Sequence, residues 1–297
     1  VLDEYFEVSA GIFDNVYLYE PFSPMRGLQA NIATNFTDYR FDDKGDVERY
    51  IELLGQIPDY FAEYLDFEQE KSEKGYFMSD AVCDKVISQC KDFVADKENH
   101  FMVTTFNDNI DALDFLTDEE KAEYKEANKQ AVVNSLLPAF ENVAAVLSGL
   151  KGTGTNDGGI CNYDGGKEYY EYLLRSDVGT DKTPEELKDI LNARMQKDVM
   201  GISLLYNDET TADMNDTSDL MTDPEEILVD LRNKALEEFP SVDGTNYDVK
   251  YVPTALEDST SPAFYLVPPM DHSDDNVIYI NGKQYPAGEA ASDLYST

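Results

Sequence analysis

Two histidines, His100 and His272, and three cysteines, Cys83, Cys90 and Cys161, are the side chains of this 297-residue chain best suited to hold a metal ion or to attack a substrate. The histidines are far apart in sequence, so the His-x-x-x-His spacing that sets two imidazoles on one helix face is not present. The cysteines show none of the close Cys-x-x-Cys spacing of a structural zinc site. Cys83 and Cys90 fall seven residues apart in a helical pattern, on one face but about two turns, roughly 10 Å, from each other. That is too far for a disulfide, and free, buried thiols are expected. His100 follows Glu98-Asn99 near a helix end, where a cation favours the dipole, and a structural or exposed role is expected for it. His272 lies in Met270-Asp271-His272-Ser273-Asp274-Asp275, read as a surface turn between strands, with a substrate-facing or metal-related role as the alternative. No Gly-x-Ser-x-Gly elbow occurs, and acidic pairs are too numerous for any one to mark a glycosidase dyad.

Two loops invite ligand readings. The run Gly152-Thr153-Gly154-Thr155-Asn156-Asp157-Gly158-Gly159 is rich in glycine, but no Lys-Ser or Lys-Thr follows it and no helix opens directly after it. A phosphate loop needs both, so a flexible connector is expected. The stretch from Asn207 to Asp223 holds acidic and small polar residues without Lys or Arg. Asp208, Asp213, Asp216 and Asp219 lack the mid-loop glycine and final glutamate of an EF-hand, so a solvated loop is read there, with a metal ion as the alternative.

Charge narrows the partners. With 23 basic against 61 acidic residues the net charge is -38. Such a field repels phosphate backbones and anionic membranes, so nucleic acid is excluded as an expected partner. No apolar run approaches the roughly 20 residues of a spanning helix, so no transmembrane segment is expected, and no basic-then-apolar leader opens the chain. With 42% hydrophobic and 12% aromatic residues there is material for one large core or two smaller ones.

The elements that must position these residues are mostly helices. Val47, Tyr50, Ile51, Leu54, Phe61, Tyr64 and Leu65 recur at three and four between Asp46 and Leu65, with Pro58 predicting a bend or break. Val82, Val86, Cys90, Phe93 and Val94 write a second amphipathic helix. Thr117, with Glu120 three residues on, is a capping box that starts a stretch ending near Gly149, which Pro138 would divide. Thr183-Pro184-Glu185-Glu186 and Asp223-Pro224-Glu225-Glu226 repeat the start signal. After about residue 246 come short β-branched and aromatic runs at 249–252, 263–267 and 277–281. The expected fold is therefore mainly α (α+β), with a small antiparallel or mixed sheet of about three strands near the C-terminus. Three regions are expected: helical over 1–150, a glycine-rich connector and helices over 151–245, and the small sheet over 246–297.

Three patterns in fixed order carry a resemblance. They are Asp46 to Tyr60 followed by Gly75 to Gln89, then Gly166 to Arg175 followed by Thr183 to Leu187, then Pro262 to Pro269 followed by Ile278 to Asn281. Together they resemble the bacterial family catalogued as domain of unknown function 885, whose members look like zinc metallopeptidases of the gluzincin kind, over about residue 28 to the end. The family tends to have a Leu-Pro pair where this chain has Asn162-Tyr163-Asp164-Gly165, which puts the local loop shape in question.

The resemblance implies a helix bearing His-Glu-x-x-His soon after the strand at Val277 to Asn281, supplying zinc ligands and the general base. This chain holds no such motif, so no catalytic or metal-binding residue is assigned within it, no cofactor is expected in it, and zinc is expected in the full-length protein. What the chain would supply is peptide binding. Val277, Tyr279 and Asn281 are assigned to an edge strand that takes a peptide by strand addition, and Tyr169, Tyr170 and Arg175 to substrate or carboxylate contacts from the family-like helix. On this reading the chain is the substrate-binding and structural N-terminal portion of a metallopeptidase, inactive alone and self-associating through the face its other half would cover. The rival reading is a non-catalytic acidic surface or solute-binding module for a cationic partner. A leader of the lipoprotein type upstream of Val1, hence a secreted or envelope-attached protein, is expected, with a cytoplasmic location as the alternative.

Overall fold

The computed structural model describes residues 16–37, 39–97, 99–205, 221, 223–240, 247–254, 257, 260–268, 270 and 276–284. His272 and nearly all of the acidic loop at 207–223 lie outside them. The fold is mainly α, followed near the C-terminus by a three-stranded mixed sheet. It forms two compact units, 1–187 and 188–297.

The first unit is helical: α1 (Leu28–Thr37), α2 (Lys44–Glu73), α3 (Asp80–Phe93), α4 (Phe101–Asp111), α5 (Asp118–Ala131), α6 (Leu137–Leu150) and α7 (Gly166–Ser176). Asp43 and Asp46 close a reciprocal capping box at the head of α2, and Thr117 with Glu120 does the same for α5. Helix α2 runs through Pro58 without a break. The proline forfeits one backbone bond, but Val47, Tyr50, Leu54, Ile57, Phe61 and Leu65 form one buried stripe on both sides of it, and packing of that stripe outweighs the lost bond.

Pro138 likewise does not divide its helix. Instead α5 and α6 are joined by a π-helical turn, Val132–Leu136, in which the Leu137 N–H donates to the Val132 carbonyl. Widening the turn ahead of the proline makes room for a ring that would clash with an α-helical carbonyl four residues back. By length and composition the span Asp118–Leu150 would reach across a membrane. Its apolar residues Val132, Leu136, Leu137, Phe140, Val143 and Leu147 are instead the buried face of a core helix packed on α2 and α3. Phe140 stacks on Phe93 at 3.9 Å and meets Phe61 edge-on.

The glycine-rich run after α6 is not a flexible connector. Gly152 N–H donates to Asp80 Oδ1, Thr153 Oγ1 accepts from Ser72 Oγ, and Thr155 Oγ1 donates to the Gly75 carbonyl. A side chain at Gly154 would collide with the Met78 carbonyl, so glycine there lets the run lie against the α2–α3 turn.

In the second unit are most of α8 (Pro184–Leu205), then α9 (Pro224–Glu238), β1 (Tyr247–Tyr251), β2 (Ala263–Leu266) and β3 (Asn276–Ile280). Both helices start where the sequence predicts. Thr183 and Glu186 cap α8 reciprocally, and Asp223 Oδ1 accepts from the N–H groups of Glu225 and Glu226. The strand order is β1-β3-β2, with β3 parallel to β1 and antiparallel to β2. Ile227 of α9 packs with Ile280, and Leu231, Val249, Ala263 and Ile278 surround them.

Candidate functional site

The expected edge strand is central. Residues 276–280 pair on one side with Tyr247–Tyr251 and on the other with Ala263–Leu266, so both rows of main-chain groups on β3 are used and no peptide can add there. The short β-branched runs identify strands, but their order is a long-range property that no local pattern encodes. Val277 and Tyr279 are buried, and Tyr279 stacks at 5.1 Å on its cross-strand partner Phe264. Asn281 is fully buried; its Nδ2 donates to the Glu257 carbonyl and to Thr260, and its Oδ1 accepts from the Lys283 N–H.

Helix α7 carries Tyr169, Tyr170 and Arg175 in the first unit, while Val277, Tyr279 and Asn281 are in the second. Tyr169 is buried and stacks near Tyr172, whereas Tyr170 and Arg175 are exposed. Burial raises the Tyr169 phenol above its ordinary value, with Tyr172, Asp177 and Glu20 adding to the rise. The helix starts at Gly166, where any side chain would collide with the Ile160 carbonyl. That close approach sets α7 directly after the short helical turn Ile160–Asn162.

A cavity of about 240 Å³ opens beside this turn, and the sequence patterns do not single it out. Its apolar wall is Leu18, Met78, Val82 and Ile160; Tyr17 and Tyr163 supply rings; Glu20 and Asp157 supply carboxylates; Ser79 stands at the head of α3. Tyr76 stacks between the two tyrosines, 6.0 Å from Tyr17 and 5.2 Å from Tyr163, which fixes both rings. Tyr163 Oη donates to the Phe77 carbonyl at 3.1 Å. Asn156 shapes the loop: its Nδ2 donates to the Gly159 carbonyl, and its Oδ1 accepts from the Gly158 N–H and from Asn162 Nδ2. Burial lifts the Tyr163 phenol, with the Glu20, Asp157 and Glu68 carboxylates adding to the rise and the Asn156 side chain opposing it. The departure at Asn162-Tyr163-Asp164-Gly165 falls in this wall. The Asn-Asp-Gly-Gly turn was the available signal, but it marks only one of three distant segments.

Helix α2 holds a buried ion pair. Glu68 and Lys71 are almost wholly inaccessible, joined at 3.2 Å, and Lys71 Nζ also donates to the Tyr19 carbonyl at 2.9 Å. Among the described residues Glu68 Oε2 has no hydrogen-bond partner, and burial raises the carboxyl group's pKa while Lys71 opposes the rise.

Cys83, Cys90 and His100 are structural. Cys83 and Cys90 are buried and free, and burial pushes their thiols up to about 11 and about 12, far from the thiolate form needed for chemistry near neutral pH. Cys161 is exposed rather than buried. His100 is not a cation at the end of α3 but the cap of α4: Nδ1 accepts from the Met102 N–H and Nε2 lies 2.8 Å from the Phe93 carbonyl. One ring nitrogen accepts while the other donates, which requires the neutral imidazole, and burial accordingly lowers its pKa. Among the described residues no three His, Cys, Asp or Glu side chains form a group that could hold a metal ion, so these residues do not fit a catalytic zinc.

Comparison with known proteins places the chain. No curated protein matches it. A crystal structure described as "the putative lipoprotein from Colwellia psychrerythraea" superposes with a TM-score of 0.74 at 18% identity, covering 93% of this chain and 51% of that one. At that identity the likeness is one of fold, and the chain spans about half the length of that structure. A family profile described as "Bacterial protein of unknown function (DUF885)" matches residues 2–294, nearly the whole chain. The chain therefore belongs to the DUF885 family of bacterial proteins.

Proposed function

We propose that this chain is the substrate-binding and structural N-terminal portion of a zinc-dependent peptidase, with the zinc ligands and general base supplied from outside the described residues. The observation that carries the reading is the family match over residues 2–294, joined to a shared fold that fills only 51% of a longer chain. Strand addition of a peptide, assigned to β3 from the sequence, moves to the outer edges of β1 and β2, which among the described residues pair with no further strand. Tyr170 and Arg175, both exposed on α7, are the side chains left available for substrate contacts. The description of the neighbour as a lipoprotein supports attachment to the cell envelope. The test is expression of the whole protein and of this chain, with metal analysis and peptide hydrolysis for each. We expect chelator-sensitive cleavage and one zinc in the whole protein and neither in the chain alone. A whole protein without zinc or cleavage would sink the proposal.

A second reading, a non-catalytic module for cationic ligands, is favoured by the cavity with its two carboxylates and by the net charge of -38. Retention of oligolysine on the immobilised chain at low salt, lost as ionic strength rises, is expected; no retention at any salt would remove this reading.

A further inference from the structure

We propose that the cavity between the Tyr17–Glu20 segment, the head of α3 and the Asn156–Tyr163 loop binds a primary ammonium group carried on a short apolar body. The inference sharpens the second reading above and stands without the peptidase.

Three features of the walls select this chemistry. Among the described residues that line it, the only formally charged side chains are Glu20 and Asp157, so the charge the cavity can compensate is positive. They come from segments far apart in sequence, held over one space by the Tyr17–Tyr76–Tyr163 stack. The Tyr163 ring adds a second attraction for a cation, since the ring quadrupole is negative over its face, whereas Tyr17 already stacks with Phe67 and Tyr76 and carries Lys74 Nζ 5.1 Å from its centroid. Opposite the carboxylates, Leu18, Met78, Val82 and Ile160 offer an apolar surface that a hydrated metal ion would leave unused. Two carboxylates without a third ligand also suit an organic cation better than a chelated metal, which needs about three protein ligands or more. The partial positive charge at the head of α3 works against a cation, but Asp80 in the first turn of that helix offsets it.

Volume sets the size. Pockets for drug-sized ligands run to about 300–1,000 Å³, so a cavity of about 240 Å³ suits a ligand nearer to an amino acid or a dipeptide. A free amine and the amino terminus of a peptide share the required chemistry, and both need a test.

The experiment titrates the chain with phenethylamine hydrochloride, its neutral isostere 2-phenylethanol, dileucine amide and N-acetyl-dileucine amide, following two-dimensional NMR shifts. Saturable binding of phenethylammonium is expected, at least about tenfold tighter than that of the alcohol, with shifts confined to the cavity walls. If the natural source is a peptide, dileucine amide binds more tightly than phenethylammonium and acetylation abolishes its binding; if a free amine, the order of the two amines is reversed. The double variant Glu20→Gln/Asp157→Asn, at two exposed positions and so expected to fold, should weaken binding about threefold to tenfold, as should raised salt. Equal binding of alcohol and amine, undiminished affinity in the double variant, or no saturable binding of either amine would overturn the assignment. Oligolysine retention that persists in the double variant while phenethylammonium fails to bind would overturn the cavity site and leave the acidic-surface reading intact.

Discussion

The two units are built on the same helix-start grammar but are held in different ways. In the first, α2, α3 and α6 each contribute a buried stripe: Leu54 and Phe61 from α2, Cys83 and Val86 from α3, Phe140 and Leu147 from α6, all almost inaccessible. In the second, α8 has correct caps and an i,i+4 pair between Arg194 and Asp198, yet Leu191, Met195, Val199 and Ile202 are each more than half exposed. The buried hydrophobic cluster there centres on Ile227 and Ile280. Capping and propensity say where a helix begins; only packing says how firmly it is held. Local opening should follow that difference, with the sheet and α9 exchanging amide hydrogens before the α2–α3–α6 core does.

The largest expected effect tests the first unit at the one buried charge pair among its described residues. Glu68→Ala leaves Lys71 without its carboxylate in a fully buried site, with the Tyr19 carbonyl and the Phe67 ring near its ammonium group. We expect a loss of about 3–5 kcal/mol in urea unfolding. Replacing both partners, Glu68→Leu with Lys71→Met, should recover most of it, because the desolvation cost leaves with the charges. A single variant costing less than about 1 kcal/mol would mean that water reaches the pair.

Ile280→Ala probes the smaller core. Ile280 is fully buried against Ile227, and the deletion should cost about 2–5 kcal/mol, at the lower end if the cluster collapses into the space. The comparison sharpens if hydrogen exchange accelerates in β1, β3 and α9 while the amides of α6 are unchanged. It breaks if the whole chain loses protection together, which would make the two units one cooperative body.

Much of this fold was legible. The capping boxes at Thr117 and Thr183, the Asp223-Pro224 start, the period of α2 and all three strands follow from interactions within four residues, which is why they can be read locally. The π-turn was hidden because the cost of Pro138 is met by repacking against α2, a partner far off in sequence. The placing of β3 between β1 and β2 was hidden for a similar reason, since a buried strand has the same residue types whether one or two neighbours flank it. The cavity draws its walls from residues 17–20, 78–82 and 156–163, and no pattern within any one of them states that the other two are near. The role of His100 was half legible: its position at a helix boundary could be read, but not which of two adjacent helices it serves.

That histidine gives a smaller, pH-dependent effect. Burial holds the folded pKa of His100 below its ordinary value, about 6.5 in the unfolded chain. As pH falls below that value the unfolded chain takes a proton and the folded chain does not, so the stability present above about 6.5 is lost as pH falls towards the folded pKa. His100→Asn keeps an acceptor at the head of α4 but cannot titrate in this range. Denaturation from pH 7.5 down to 5.5 should therefore show the wild type losing stability relative to the variant. Parallel curves would mean that His100 titrates in the folded state as it does unfolded, and a wild type that gains stability as pH falls would mean that the folded state holds the proton.

The smallest expected effect is at α8. Leu191 is 65% exposed and Met195 58% exposed, so Leu191→Gln and Met195→Gln each remove little buried area and keep good helix formers in place. Each should change unfolding free energy by less than about 0.5 kcal/mol, as surface substitutions usually do. By contrast Leu54→Gln in α2 puts an amide into a fully buried position and should cost several-fold more. The measurement is urea unfolding at two protein concentrations about tenfold apart, with sedimentation at each. If the wild type is more stable at the higher concentration and the Gln variants are not, the exposed stripe of α8 is covered by a second copy in solution, because association stabilises the folded state by mass action. If the Gln variants lose more than about 1 kcal/mol at both concentrations, the stripe is covered within one chain, and the contrast drawn between the two units is wrong at this helix.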